Sequence, residues 1–248
     1  MHAGEAADTA DSQRRTLTIA GALMVGGFLL NVILTAALHP SGEEDDHPAI
    51  FTEYADSSSW IAVHLGQFIG VLVTLSGLLL LYRVLRSADQ SALVARLAAA
   101  AAVATAAVWA VLQGLDGVGL KQAVDSWVSA SGAEKQIRFA NAETVRWLEW
   151  GFQSYFRILL GLTLALFGTA ILTSRRVAGW LGWTALVAGV CSVVFGVDVG
   201  YSGLASGLQD VLGIAIFVLV LVFAIGVLVT GVRGRPDATV EPGRHRLL

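Results

Sequence analysis

Residues 147–172 read WLEWGFQSYFRILLGLTLALFGTAIL, a run long enough to cross a bilayer that still carries Glu149, Gln153 and Arg157 in its first half. Those three recur every four residues, so on a helix they form one polar stripe about two turns long. Arg157 lies ten residues past Trp147, roughly 15 Å down the axis and near the bilayer midplane. A charge at that depth costs on the order of 2.5–3.5 kcal/mol on insertion scales. Any fold of this chain must therefore offer the stripe an interior partner. Glu149, Asp116, Asp198 and Asp210 are the acids within reach of an ion pair; the alternative is a ligand.

Five further apolar runs accompany it: 16–38, 60–83, 97–115, 178–199 and 208–232. The chain is 55% hydrophobic and 14% charged, where soluble domains carry roughly 25% charged residues. Together these predict an all-α fold, a polytopic integral membrane helix bundle of six transmembrane helices with short interfacial helices in the outer loops. The domain is expected over 16–232, between a disordered tail at 1–15 and a basic, proline-broken one at 233–248. The first run exceeds the roughly 7–15 residues of a signal-peptide core and reads as a retained span. Pro48 opens a short helix with Ile50, Phe51 and Tyr54 on one face, expected on the membrane surface. Trp60 reads as an interfacial anchor. Leu120, Ala123, Val124, Trp127 and Val128 make an amphipathic stripe that stops at Ser131-Gly132, before a helix that runs on into Trp147.

Arginine placement sets an orientation. With the N-terminus inside, eleven arginines fall on the cytoplasmic side (14, 15, 83, 86, 96, 175, 176, 233, 235, 244 and 246). Only Lys121, Lys135, Arg138 and Arg146 fall on the other. The positive-inside rule then predicts both termini cytoplasmic, in a cell (inner) membrane. The excess of arginine over lysine is that of a high-GC bacterial gene. A net charge of −3 and scattered basic residues give no footprint for nucleic acid. The single cysteine, Cys191, excludes an intrachain disulfide.

On this topology the polar residues inside the spans gather in one leaflet. His64 and Gln67, Gln113 and Asp116, Glu149, Gln153 and Arg157, Asp198 and Tyr201, and Gln209 and Asp210 all fall toward the extracytoplasmic side. The other halves are Ala, Leu, Val and Gly. This predicts an outward-facing polar pocket, with His64, Gln67, Gln113, Asp116, Glu149, Gln153, Arg157, Asp198, Tyr201 and Asp210 as candidate ligand-binding residues.

His39, His47 and His64 share that side and are the candidate metal ligands, since imidazole and carboxylate suit zinc, copper or iron; their spacing matches no metal motif. Gly200-Tyr201-Ser202-Gly203 has the form of a rhomboid-protease nucleophile, but no histidine follows until His245 in the tail. Acids beside Trp147, Trp150, Tyr155 and Phe156 suit the carboxylate chemistry of membrane terpene cyclases, whose motifs are missing. Haem needs paired intramembrane histidines, and only His64 lies within a span. No cofactor is assigned. Gly66-x-x-x-Gly70 and Gly196-x-x-x-Gly200 read as close helix contacts.

His39-Pro40 after the first span and Trp60 to His64 opening the second resemble the small six-span bacterial membrane proteins of unknown function. The resemblance extends over residues 16–232 and implies no activity. The expected function is binding of a small polar or amphiphilic ligand in the pocket. The alternatives are a membrane-embedded enzyme using carboxylate, histidine or metal chemistry, and an assembly or scaffold subunit.

Overall fold

A computed structural model of the chain describes residues 3–233 except 41, 43 and 89. Six helices long and apolar enough to cross a membrane are present, and no strand occurs among the described residues. They are α1 (Ala3–Leu38), α3 (Trp60–Leu85), α4 (Ala92–Gln113), α6 (Gly132–Ser174), α7 (Gly179–Ser202) and α8 (Gly207–Arg233). Two short helices, α2 (His47–Asp56) and α5 (Lys121–Ser129), sit at one end. A π-helical segment, Gly114–Leu120, joins α4 to α5 without a break.

The six spans form a closed ring. Going round it, α1 packs on α3, α3 on α4, α4 on α6, α6 on α7, α7 on α8, and α8 back on α1. Lipid supplies no hydrophobic drive between helices, so close backbone approach carries much of this packing. A Cβ on Gly70 would lie 2.8 Å from the Gly27 carbonyl oxygen, and one on Gly161 2.5 Å from that of Gly189. Gly196 meets the Ser154 carbonyl oxygen in the same way, at 2.7 Å, while Gly66 meets the Leu34 side chain.

Helix α6 has 43 residues, about 65 Å of helix, so it projects well past a roughly 30 Å hydrocarbon core. Against that projection the short helices build a cap. Ile50, Phe51 and Tyr54 of α2 join Trp60, Leu120, Val124 and Ala142 in one buried cluster, with Trp127 and Phe139 packed on it. Asp46 caps α2 by accepting from the Ala49 amide at 3.1 Å, with Pro48 in the first turn. The apolar face of α2 is thus turned into protein rather than laid on the membrane. Trp60 is likewise no interfacial anchor but a buried residue, 1% exposed.

The N-terminal stretch also differs from expectation. Helix α1 begins at Ala3, so most of 1–15 is helical rather than disordered. An Asp11–Arg15 pair at 2.9 Å supports that turn, and Arg14 donates to the Val232 carbonyl at 3.0 Å, tying α1 to the end of α8. The tail expected over 233–248 lies outside the described residues beyond Arg233.

Candidate functional site

The ring encloses a cavity of about 750 Å³. Helical periodicity decides what lines it, because each span shows the cavity one face. Arg146, Glu149, Gln153, Arg157, Leu160 and Leu164 come from α6 in steps of three or four, continuing the stripe one turn upstream. Met24, Phe28, Asn31, Thr35 and then His39 come from α1 and the loop after it. Gln67 and Leu78 of α3, Gln113 at the end of α4, and Ile216 and Phe223 of α8 complete the wall. The cavity is polar at the capped end and apolar at the other.

At the capped end Arg146 holds the centre. Its guanidinium donates to Glu149 at 2.8 Å and also to Glu44, and stacks over the Tyr54 and Trp150 rings at 5.7 and 5.5 Å. The Tyr54 hydroxyl donates to Glu44 at 3.1 Å. Burial pushes the Tyr54 phenol well up, against the opposing pull of the Arg146 charge. Burial likewise lowers His39 below its ordinary value, outweighing the Pro40 carbonyl and the Asp116 charge, which raise it.

Asp116 owes its position to the π segment. A wider turn leaves a main-chain carbonyl unmatched, and the Trp60 indole donates to the Asp116 carbonyl at 3.1 Å. The same turn aims the carboxylate at His64, whose Nε2 is 3.1 Å from Oδ2. Gly117 lets the segment approach: a Cβ there would be 2.6 Å from His64 Cβ.

Arg157 is the surprise. Each acid expected to pair with it is elsewhere: Glu149 with Arg146, Asp116 with His64, Asp198 with Gln209 at 2.8 Å, and Asp210 exposed. Glu149 is eight residues away on the same helix, about 12 Å, while Arg146 is three. Among the described residues the Arg157 side chain makes no hydrogen bond or ion pair, its Nε is buried, and its guanidinium lies 4.6 Å from the Phe195 ring centroid.

Of the ten residues expected in the pocket, Gln67, Gln113, Asp116, Glu149, Gln153 and Arg157 line the cavity. His64 stands directly behind Asp116, buried. Asp198, Tyr201 and Asp210 do not belong to it: Asp198 steadies the α7–α8 turn and Tyr201 is 90% exposed. They sit where two spans meet water, and that is reason enough for their polarity. Of the metal candidates, His39 and His64 come together and His47 does not, bonding Glu143 at 2.9 Å instead. Sequence reasoning missed Arg146 and Glu44 as one unit. Arg146 falls on the Glu149 stripe but precedes the apolar run, so its position alone reads as loop.

The model of the domain of unknown function DUF4386 matches residues 19–232. The chain belongs to that family. The DUF4386 match thus reaches into all six spans and covers the cap and every cavity residue named above. No match was found among curated proteins or among solved structures.

Proposed function

We propose that this protein binds an amphiphile with an acidic head in the central cavity, from the outer face of the membrane. Arg157 carries the reading. A guanidinium deep in a membrane protein is costly without a counter-charge, and the described residues supply none to it. Asp116 and Glu149 are engaged elsewhere, so the free positive charge awaits an anion that arrives with the ligand. Gln153, one turn away on the same face, adds a neutral hydrogen-bonding group. A carboxylate or phosphate suits the planar donor set of Arg.

The remainder of the wall suits a chain. Phe28, Leu78, Leu164, Ile216 and Phe223 make the arm beyond Arg157 apolar, and 750 Å³ falls within the range of small-molecule sites. Met24 and His39 both line the cavity, so it extends about 20 Å along α1. The capped end faces outward in this reading because the opposite ends carry the arginines.

Native mass spectrometry of the detergent-purified protein tests it, with a long-chain fatty acid as probe. Wild type retains one fatty acid per chain, and Arg157→Leu, still folded, does not. Equal retention by both would overturn the reading.

A further inference from the structure

The capped end of the cavity holds a second kind of site, set by three residues far apart in sequence. His39 follows α1, His64 is one turn into α3, and Asp116 is in the π segment. One ring nitrogen from each histidine and one Asp116 oxygen lie within 4.8 Å of one another. We propose that His39, His64 and Asp116 bind one divalent transition-metal ion of the zinc or ferrous type. The inference does not depend on what fills the apolar arm.

Hydrogen bonding decides the tautomers. His39 Nδ1 is 2.8 Å from the Pro40 carbonyl, and His64 Nδ1 is 2.8 Å from the Trp60 carbonyl. A carbonyl only accepts, so Nδ1 carries the proton on both rings. Each neutral imidazole is left with its lone pair on Nε2. Metal-bound histidines are held in this way, with the other ring nitrogen donating to a carbonyl or carboxylate.

His64 Nε2 then confronts Asp116 Oδ2 at 3.1 Å, lone pair against lone pair. Either a metal ion between or beside the two, or a second proton on His64, relieves that contact. Ligand atoms about 2.0–2.1 Å from a shared ion sit roughly 3.0–3.4 Å apart, which the His64–Asp116 pair meets, while His39 lies within 4.8 Å of both. The other oxygen, Asp116 Oδ1, is buried with no partner. The Arg146 guanidinium bonds Glu149 and Glu44 and makes no bond to Asp116. Two imidazoles and one carboxylate suit Zn²⁺ and Fe²⁺, with the open positions toward the cavity, which His39 and Asp116 both line.

Trp60 acts as the positioning residue of the site. Its indole holds the Asp116 main chain and its carbonyl holds the His64 ring, so one residue orients two ligands. The competing arrangement is a His64 imidazolium paired with the Asp116 carboxylate and no metal. The two differ in what the protein binds.

The test uses full-length protein in detergent, stripped with a chelator and titrated with Co²⁺ alone, whose visible bands report imidazole and carboxylate ligation. Wild type takes up one Co²⁺ per chain, and Zn²⁺ or Fe²⁺ in competition shows which of the two is preferred. His39→Ala and Asp116→Asn each weaken uptake by more than about tenfold, the lower end of what even an outer-shell change costs. His47→Ala, which removes an imidazole bonded outside the cluster, leaves it unchanged. Should a variant fold poorly, the wild-type thermal midpoint still rises with Co²⁺. Arg157→Leu keeps metal uptake even if it loses the fatty acid, so the two readings fail separately. Absence of Co²⁺ binding by wild type, or binding that His39→Ala and Asp116→Asn do not alter, overturns the metal and leaves the imidazolium pair.

Discussion

Replacing Gly117 by alanine would test the link between the π segment and the candidate site. The new methyl carbon would sit 2.6 Å from His64 Cβ and 3.1 Å from Cγ, whereas carbon atoms attract at about 3.5–4.0 Å. The segment and α3 would have to part by about 1 Å. His64 cannot rotate out of the way, because its Cβ is fixed to the backbone. Nor can α3 simply retreat, since its Gly70 already presses on the backbone of α1. A 1 Å displacement takes the Trp60–Asp116 and His64–Asp116 contacts, both 3.1 Å, out of hydrogen-bonding range. Overpacking costs about 1–3 kcal/mol and the lost Trp60–Asp116 hydrogen bond about 1 kcal/mol, so a loss of about 2–4 kcal/mol is expected where the site cannot relax. Gly114 is the control. It is in the same segment at φ −69° and has nothing within 4 Å of its Cβ position. There alanine is expected to be neutral or to stabilise by about 0.5–1 kcal/mol, by lowering the entropy of the unfolded chain. Unfolding in mixed dodecyl maltoside and SDS micelles, followed by tryptophan fluorescence, measures both variants. If Gly117→Ala lies within about 0.5 kcal/mol of wild type, or if the two variants shift alike, the close approach does not hold the site.

Other outcomes follow from the same contacts. Arg146→Met should cost about 3–5 kcal/mol by stranding buried Glu149, and Arg146→Met with Glu149→Met should recover much of it; additive losses in the double-mutant cycle would show that the two are not coupled. Arg157→Leu should raise the stability of lipid-stripped protein by about 1–3 kcal/mol, since it removes a buried charge with no partner; a fall in the unfolding midpoint would mean that the guanidinium is paired. Burial raises the Tyr54 phenol, so its native pKa exceeds its unfolded one. Stability should therefore hold below about pH 9 and decline as pH rises past about 10. In an ultraviolet titration one of the four tyrosines should resist ionisation until the protein unfolds, and Tyr54→Phe should abolish that late step.

Six spans, their approximate bounds and the short outer helices were legible in the chain itself, though not the packing of those helices into a cap. Hydrophobic length and helical period are properties of a single segment, and in a bilayer a segment of some twenty apolar residues has few structures open to it. The continuation of α6 from Gly132 through Trp147 was visible for the same reason, and so was the one-sided clustering of polar residues. What sequence could not supply was partnership. Arg157 within a span calls for an acid, and the sequence offers four. Which acids were already taken depended on Arg146 reaching Glu149 and Glu44, on His64 reaching Asp116, and on Gln209 reaching Asp198. Arg146–Glu149 lies within α6, but the other choices are settled by distances between different segments. The π segment is a further instance, since the sequence shows a break between the span ending at 115 and the stripe starting at Leu120, where the structure runs on without one. Ring closure of α8 on α1 then decides which polar faces share a cavity, leaving Tyr201 and Asp210 outside it. Local chemistry determined that these helices exist and cross a membrane. Only their packing determined which charges are paired, and so which one is left facing the cavity without a partner.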